Sequence, residues 1–116
     1  MKPEHMTRIV NRKRYDTATA TLLAGNDFWD GNNFERSGRN TFLYKTPKGA
    51  YFEVNLTQWQ GEQDTLLPIT KEEAIDLFEN HLSEQRVSYK EAFPDVNIQD
   101  AQLRMGAGGQ PAPTMR

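Results

Sequence analysis

The sharpest alternation of apolar and polar positions lies between Asn40 and Leu56. Thr41-Phe42-Leu43-Tyr44-Lys45-Thr46 and Ala50-Tyr51-Phe52-Glu53-Val54-Asn55-Leu56 are rich in aromatic and β-branched residues, and Pro47-Lys48-Gly49 separates them. Proline suits the opening of a type I turn, and glycine supplies the positive φ that a three-residue hairpin loop needs, so this stretch predicts one β-hairpin. Pairing Thr46 with Ala50 sets Tyr44 opposite Phe52 and Phe42 opposite Val54 on an apolar face. Lys45 then meets Tyr51, and Leu43 meets Glu53, on an amphipathic face.

Helical periodicity is clearest after Pro68-Ile69. Thr70-Lys71-Glu72-Glu73 is a capping box, in which the Thr70 hydroxyl accepts from the Glu73 amide while the Glu73 carboxylate reaches back to the Thr70 amide. Ala74, Ile75, Leu77, Phe78 and Leu82 form an apolar stripe behind it, so the main helix of the domain is expected here. Ser88 to Phe93 repeats the cap with Glu91 and is stopped by Pro94. Upstream, Arg8-Ile9-Val10 and Arg14-Tyr15 predict two short strands around the polar turn Asn11-Arg12-Lys13. Thr17 to Ala24 predicts a weak helix, capped by Asp16 or Thr17 and stopped at Gly25-Asn26, with its threonines lowering its propensity. Asp30-Gly31 predicts a tight turn and Phe34-Glu35-Arg36 a short strand.

These elements describe a small α+β domain: an antiparallel sheet with a central hairpin, packing its Phe42/Tyr44/Phe52/Val54 face on the helix from Thr70, with short helices at the edges. Of the 116 residues, 1–7 form a polar leader and 105–116 a Gly/Pro-rich tail that is too apolar-poor to order, which leaves 8–104 as one domain. No apolar run approaches the length of a membrane span and no signal-peptide pattern opens the chain, so the expected location is the cytoplasm. The absence of cysteine removes disulfides, thiolate zinc sites and thiol catalysis together.

The net charge of −2 conceals an asymmetry: residues 1–48 carry nine Lys/Arg against five Asp/Glu, and residues 49–116 carry five against eleven. Chemistry-bearing motifs are sparse. His5 lies in the leader and His81 near a helix end, where the helix dipole accounts for it, and neither has an evident partner in the sequence. Neither a His pair at helical spacing nor a phosphate loop between a strand and a helix is present, so no cofactor or metal is implied. Glu72, Glu73, Asp76 and Glu79 fit the solvent side of a helix start.

Binding is the leading function class. Tyr51, Trp59 and Trp29, with Lys45 beside Tyr51, are residue types enriched at protein interfaces, and an open hairpin edge also suits self-association. The alternative is a nucleic-acid-binding module using Arg12, Lys13, Arg14, Arg36, Arg39, Lys45 and Lys48 on phosphates, with interleaved aromatics stacking on bases. A small enzyme of unspecified class ranks third.

Lys13-Arg14-Tyr15-Asp16-Thr17-Ala18-Thr19-Ala20-Thr21-Leu22-Leu23-Ala24 resembles the K-x-Y-D-T-x-T-A-x-x-L-A opening of small, uncharacterised bacterial proteins associated with phage and other mobile elements. The likeness extends to Asn40–Thr46, Gly49–Phe52 and Pro68–Ala74. It implies a compact accessory domain, carries over no catalytic residue, and suggests a regulatory module that acts by binding a protein; Trp29 and Trp59 fall outside the matched blocks.

Overall fold

The computed structural model describes residues 3–27 and 39–101. The strands are β1 (Thr7–Val10), β2 (Lys13–Asp16), β3 (Thr21–Gly25), β4 (Arg39–Lys45), β5 (Tyr51–Thr57), β6 (Thr65–Ile69) and β7 (Glu84–Gln85). Helix α1 (Lys71–Asp76) runs into a π-helical turn (Leu77–His81), and α2 (Tyr89–Ala92) follows β7. β1 and β2 form their own hairpin, while β6-β5-β4-β3-β7 form an antiparallel five-stranded sheet.

The central hairpin forms in the expected register, with Tyr44 opposite Phe52, Phe42 opposite Val54 and Lys45 opposite Tyr51. Its turn closes through Thr46 N to Ala50 O (2.8 Å) and Gly49 N to Thr46 O (2.9 Å), with Gly49 at φ +92°. Both capping boxes are present: Glu73 N donates to Thr70 Oγ1 and Thr70 N to Glu73 Oε1, and Ser88 and Glu91 repeat the exchange.

Four expectations are corrected. The weak helix at Thr17–Ala24 is one turn followed by β3. Asp16 does act as a cap, its carboxylate accepting from Ala18 N (2.8 Å), but the β-branched threonines and the unbroken Leu22-Leu23-Ala24 run favour pairing against β4. The expected main helix is only six α-helical residues before Leu82 N bonds back five residues to Leu77 O (2.9 Å). The packing faces are also exchanged. Phe42, Tyr44, Phe52 and Val54 pack with Leu56 and Leu66 beneath the β1–β2 hairpin, through Tyr15, Met6 and Val10, whereas Ala74, Phe78 and Leu82 cover Leu43, Tyr51, Leu23 and Ala24 on the opposite face. Finally, the first turn uses two residues, Asn11 (φ +53°) and Arg12 (φ +63°), which is the backbone of a type I′ hairpin.

The sheet is thus buried on both sides, by the first hairpin and by the helices. The path from β6 to β7 explains the helical crossover. These strands lie at opposite edges, four inter-strand spacings or about 19 Å apart, and the α1 and π-turn segment carries the chain between them. β6 and β7 were not expected from the sequence. Pro68 demotes β6 to an edge, which is where it lies. Met6 and Thr7 of the expected leader take part in the fold: Met6 N donates to Thr17 Oγ1 (2.9 Å) and Thr7 begins β1. The Asp30-Gly31 turn, the Phe34–Arg36 strand and the 105–116 tail lie outside the described residues. Among the described residues no helix is long and apolar enough to cross a membrane.

Candidate functional site

Residues that share the helix-side face follow from the strand register. Lys45, Leu43, Thr41 and Arg39 on β4 lie beside Tyr51, Glu53, Asn55 and Thr57 on β5, and Ile69, Leu67 and Thr65 on β6 complete the rows. Among the described residues the helices cover one end of this face. There Tyr51 is 6% exposed and its hydroxyl donates to Ala92 O (2.8 Å), while Lys45 Nζ donates to the same carbonyl (3.4 Å) and sits 5.9 Å from the Tyr51 ring. Burial pushes the Tyr51 phenol above its ordinary pKa. The expectation that Tyr51 presents itself to a partner is therefore corrected, since its ring is enclosed and its hydroxyl secures α2 to the sheet, while half-buried Lys45 reaches the same carbonyl. Lys71 Nζ, 2.6 Å from Asp95 Oδ2, ties the start of α1 to the segment after α2.

The other end of the face is polar and partly open. Thr41 Oγ1 donates to Asn55 Oδ1 (2.7 Å), and Asn55 Nδ2 donates to Glu53 Oε2 (2.7 Å), which makes a fixed hydroxyl–amide–carboxylate row beside exposed Leu67. At its end stands Trp59, 52% exposed, with the Arg39 guanidinium 5.9 Å from its ring centre. The loop that carries Trp59 is tied at several points. Arg39 makes a bidentate pair with Glu62 (Nε to Oε1 3.1 Å, Nη2 to Oε2 2.5 Å), Thr57 Oγ1 donates to Glu62 Oε1 (2.6 Å), and Trp59 N donates to Thr57 Oγ1 (3.1 Å). Thr57 N donates to Asp64 Oδ1 (2.9 Å), Glu62 N closes a turn on Trp59 O (3.2 Å), and Gly61 supplies φ +90° between them. The Arg39 hydrogen bond, with that of Thr57, holds the Glu62 carboxyl below its ordinary range. The result is an aromatic ring, a guanidinium and hydrogen-bonding side chains displayed on strands and a braced loop.

The basic residues expected to contact nucleic acid do not converge. Arg12, Lys13 and Arg14 lie on the β1–β2 hairpin, which covers the other face of the sheet. Arg39 and Lys45 stand at opposite ends of β4, about 20 Å apart along the strand. Lys48 is in the central turn, and Arg36 and Trp29 lie outside the described residues. Of the interleaved aromatics, Tyr15, Tyr44 and Tyr51 are interior, Tyr44 stacking on Phe52 at 5.1 Å and Tyr15 meeting Phe52 edge-on at 5.7 Å, and Phe34 lies outside the described residues.

The histidines do have partners, contrary to the sequence reading. His5 Nε2 lies 2.9 Å from Asp16 Oδ1 and His81 Nε2 3.1 Å from Asp76 Oδ2, both at the surface. Among the described residues no three His, Cys, Asp or Glu side chains gather as metal ligands would. The row Glu53, Asn55, Thr57 was visible in the sequence as polar residues at every second position of a strand. The Arg39–Glu62 brace spans 23 residues and left no local signal. No family model, curated protein or solved structure matches this chain.

Proposed function

We propose that this protein is a non-enzymatic binding module that engages a protein partner through the open end of its helix-side face, centred on Trp59 and Arg39. The observation that carries the reading is a half-exposed tryptophan on a loop already fixed by the Arg39–Glu62–Thr57 bonds. Tryptophan and arginine dominate the energetic centres of protein interfaces, and a loop ordered beforehand loses little conformational freedom on binding. Leu67 and the Thr41–Asn55–Glu53 row add apolar contact and directional hydrogen bonds to the same face. A regulatory role is the expectation carried by the sequence resemblance to mobile-element proteins, and this reading is preferred to the nucleic-acid alternative because, among the described residues, the basic side chains named for the latter are divided between the β1–β2 hairpin and β4 with its turn.

The test is capture from a bacterial lysate by immobilised protein at low and high salt, with bound protein and nucleic acid both identified and quantified against Trp59→Ala. A defined protein retained at high salt, with affinity reduced about 30-fold or more by the substitution, is the expected result. A partner held equally by Trp59→Ala, or nucleic acid released by salt, overturns it.

A further inference from the structure

The β-edges of this molecule are unequally protected. At β6, Pro68 has no N–H, so its pair with Phe52 cannot exchange both ladder bonds; alternation then turns the peptide groups of Leu66 and Pro68 outward. Of those, the Leu66 carbonyl is taken by Arg8 Nη1 at 2.7 Å. At the opposite edge β7 is only two residues long. These devices blunt both edges of the large sheet against an added strand.

β1 differs. Thr17 N donates to Met6 O (3.0 Å), which marks Met6 and Thr17 as a hydrogen-bonded pair. Alternation along the register makes Arg8–Tyr15 and Val10–Lys13 bonded pairs and Thr7–Asp16 and Ile9–Arg14 the intervening ones. Thr7 and Ile9 therefore direct both backbone groups away from β2, and none of the backbone bonds among the described residues reaches them, although β1 also runs beside β6. Thr7, Arg8 and Ile9 are exposed, and Ile9 at 63% is among the most exposed large apolar residues described. Exposed Arg12, Lys13 and Arg14 make the turn end of this hairpin basic, whereas Glu4 and Asp16 lie at its other end.

We propose that the outer edge of β1 takes an extended acidic segment of another protein as an added antiparallel strand. Thr7 and Ile9 supply the main-chain bonds, the Ile9 side chain an apolar contact, and the basic tip selects Asp and Glu in the incoming strand. This surface belongs to the β1–β2 hairpin, on the side of the sheet away from the Glu53–Asn55 row, so the inference stands apart from the Trp59 reading.

The experiment selects binders from a random heptapeptide display library on the immobilised full chain at low salt, then measures chosen peptides in solution against variants. Expected are proline-free sequences that mix Asp or Glu with β-branched residues. Binding should slow amide exchange at Thr7 and Ile9. Ile9→Pro removes an outward N–H without breaking a ladder bond and should weaken binding about tenfold or more. Arg14→Glu, about two strand spacings from the incoming chain, should weaken it about threefold, an effect that salt erases. N-methylation of the peptide at alternate residues checks the same bonds from the ligand side if Ile9→Pro fails to fold. Absence of acidic enrichment, binders indifferent to Ile9→Pro and to N-methylation, or an edge already occupied by a second copy in sedimentation would overturn the proposal.

Discussion

Tyr51→Phe isolates what the tyrosine does. The substitution keeps the ring, and so keeps its packing against Phe93 at a centroid distance of 5.3 Å and the burial of its apolar surface. What is lost is the hydroxyl bond to Ala92 O at 2.8 Å, which leaves that carbonyl with the longer contact to Lys45 Nζ at 3.4 Å. A net hydrogen bond is worth about 1 kcal/mol, and a buried acceptor left under-satisfied adds to that, so the expected loss is about 1–2 kcal/mol. For a domain of this size each kcal/mol shifts the thermal midpoint by about 4–8 °C, so a fall of roughly 5–15 °C is expected. Thermal unfolding followed by circular dichroism reads it, and binding to any partner captured through Trp59 should be unchanged in the folded variant. An unaltered midpoint with weakened partner binding would refute the interior role and return Tyr51 to the surface.

Arg12→Gly should stabilise the protein by about 1 kcal/mol, because Arg12 holds φ +63° in a two-residue turn for which Asn-Gly is the preferred sequence; denaturant titration checks the sign. Gly25→Ala should cost about 1–3 kcal/mol or prevent folding, since an added Cβ would lie 2.7 Å from the Phe42 ring and 2.9 Å from the Asp27 carboxylate that pairs with Arg86; a variant as stable as the parent would contradict this packing. On the acid side, Glu62 is held below its ordinary 4.5 chiefly by Arg39, and Asp95 below its ordinary 3.8 chiefly by Lys71. The stability these groups lend is complete above those ordinary values and is lost as pH falls through the lower folded-state ones, so the thermal midpoint should drop below about pH 4. On the alkaline side, the hydrogen bond to Glu79 pushes Tyr89 up to about 12, and burial raises Tyr44 and Tyr51, so stability complete below pH 10 should decline as pH rises towards 12; a flat profile at either end would count against these contacts.

The Pro47-Lys48-Gly49 turn, the alternation on either side of it and the two capping boxes were determined by the sequence itself, because each is decided within a few residues by backbone sterics and local hydrogen bonds. The choice of face was not. Phe42-Leu43-Tyr44 is apolar at consecutive positions, and Leu43 and Tyr51 are as fully enclosed as Phe42 and Tyr44, so the strand pattern could not say which side would meet the helix. The same ambiguity gave Thr17–Ala24 a helical reading: a short apolar run obeys either period until a partner strand supplies its hydrogen bonds. The Trp59 site follows this division. Its polar row on β5 was legible as alternation, but the brace that fixes the tryptophan joins Arg39 at the start of β4 to Glu62 in the β5–β6 loop. Only the tertiary structure could bring them together, because pairing β4 with β5 along their full length is what places Arg39 opposite Thr57, within reach of that loop.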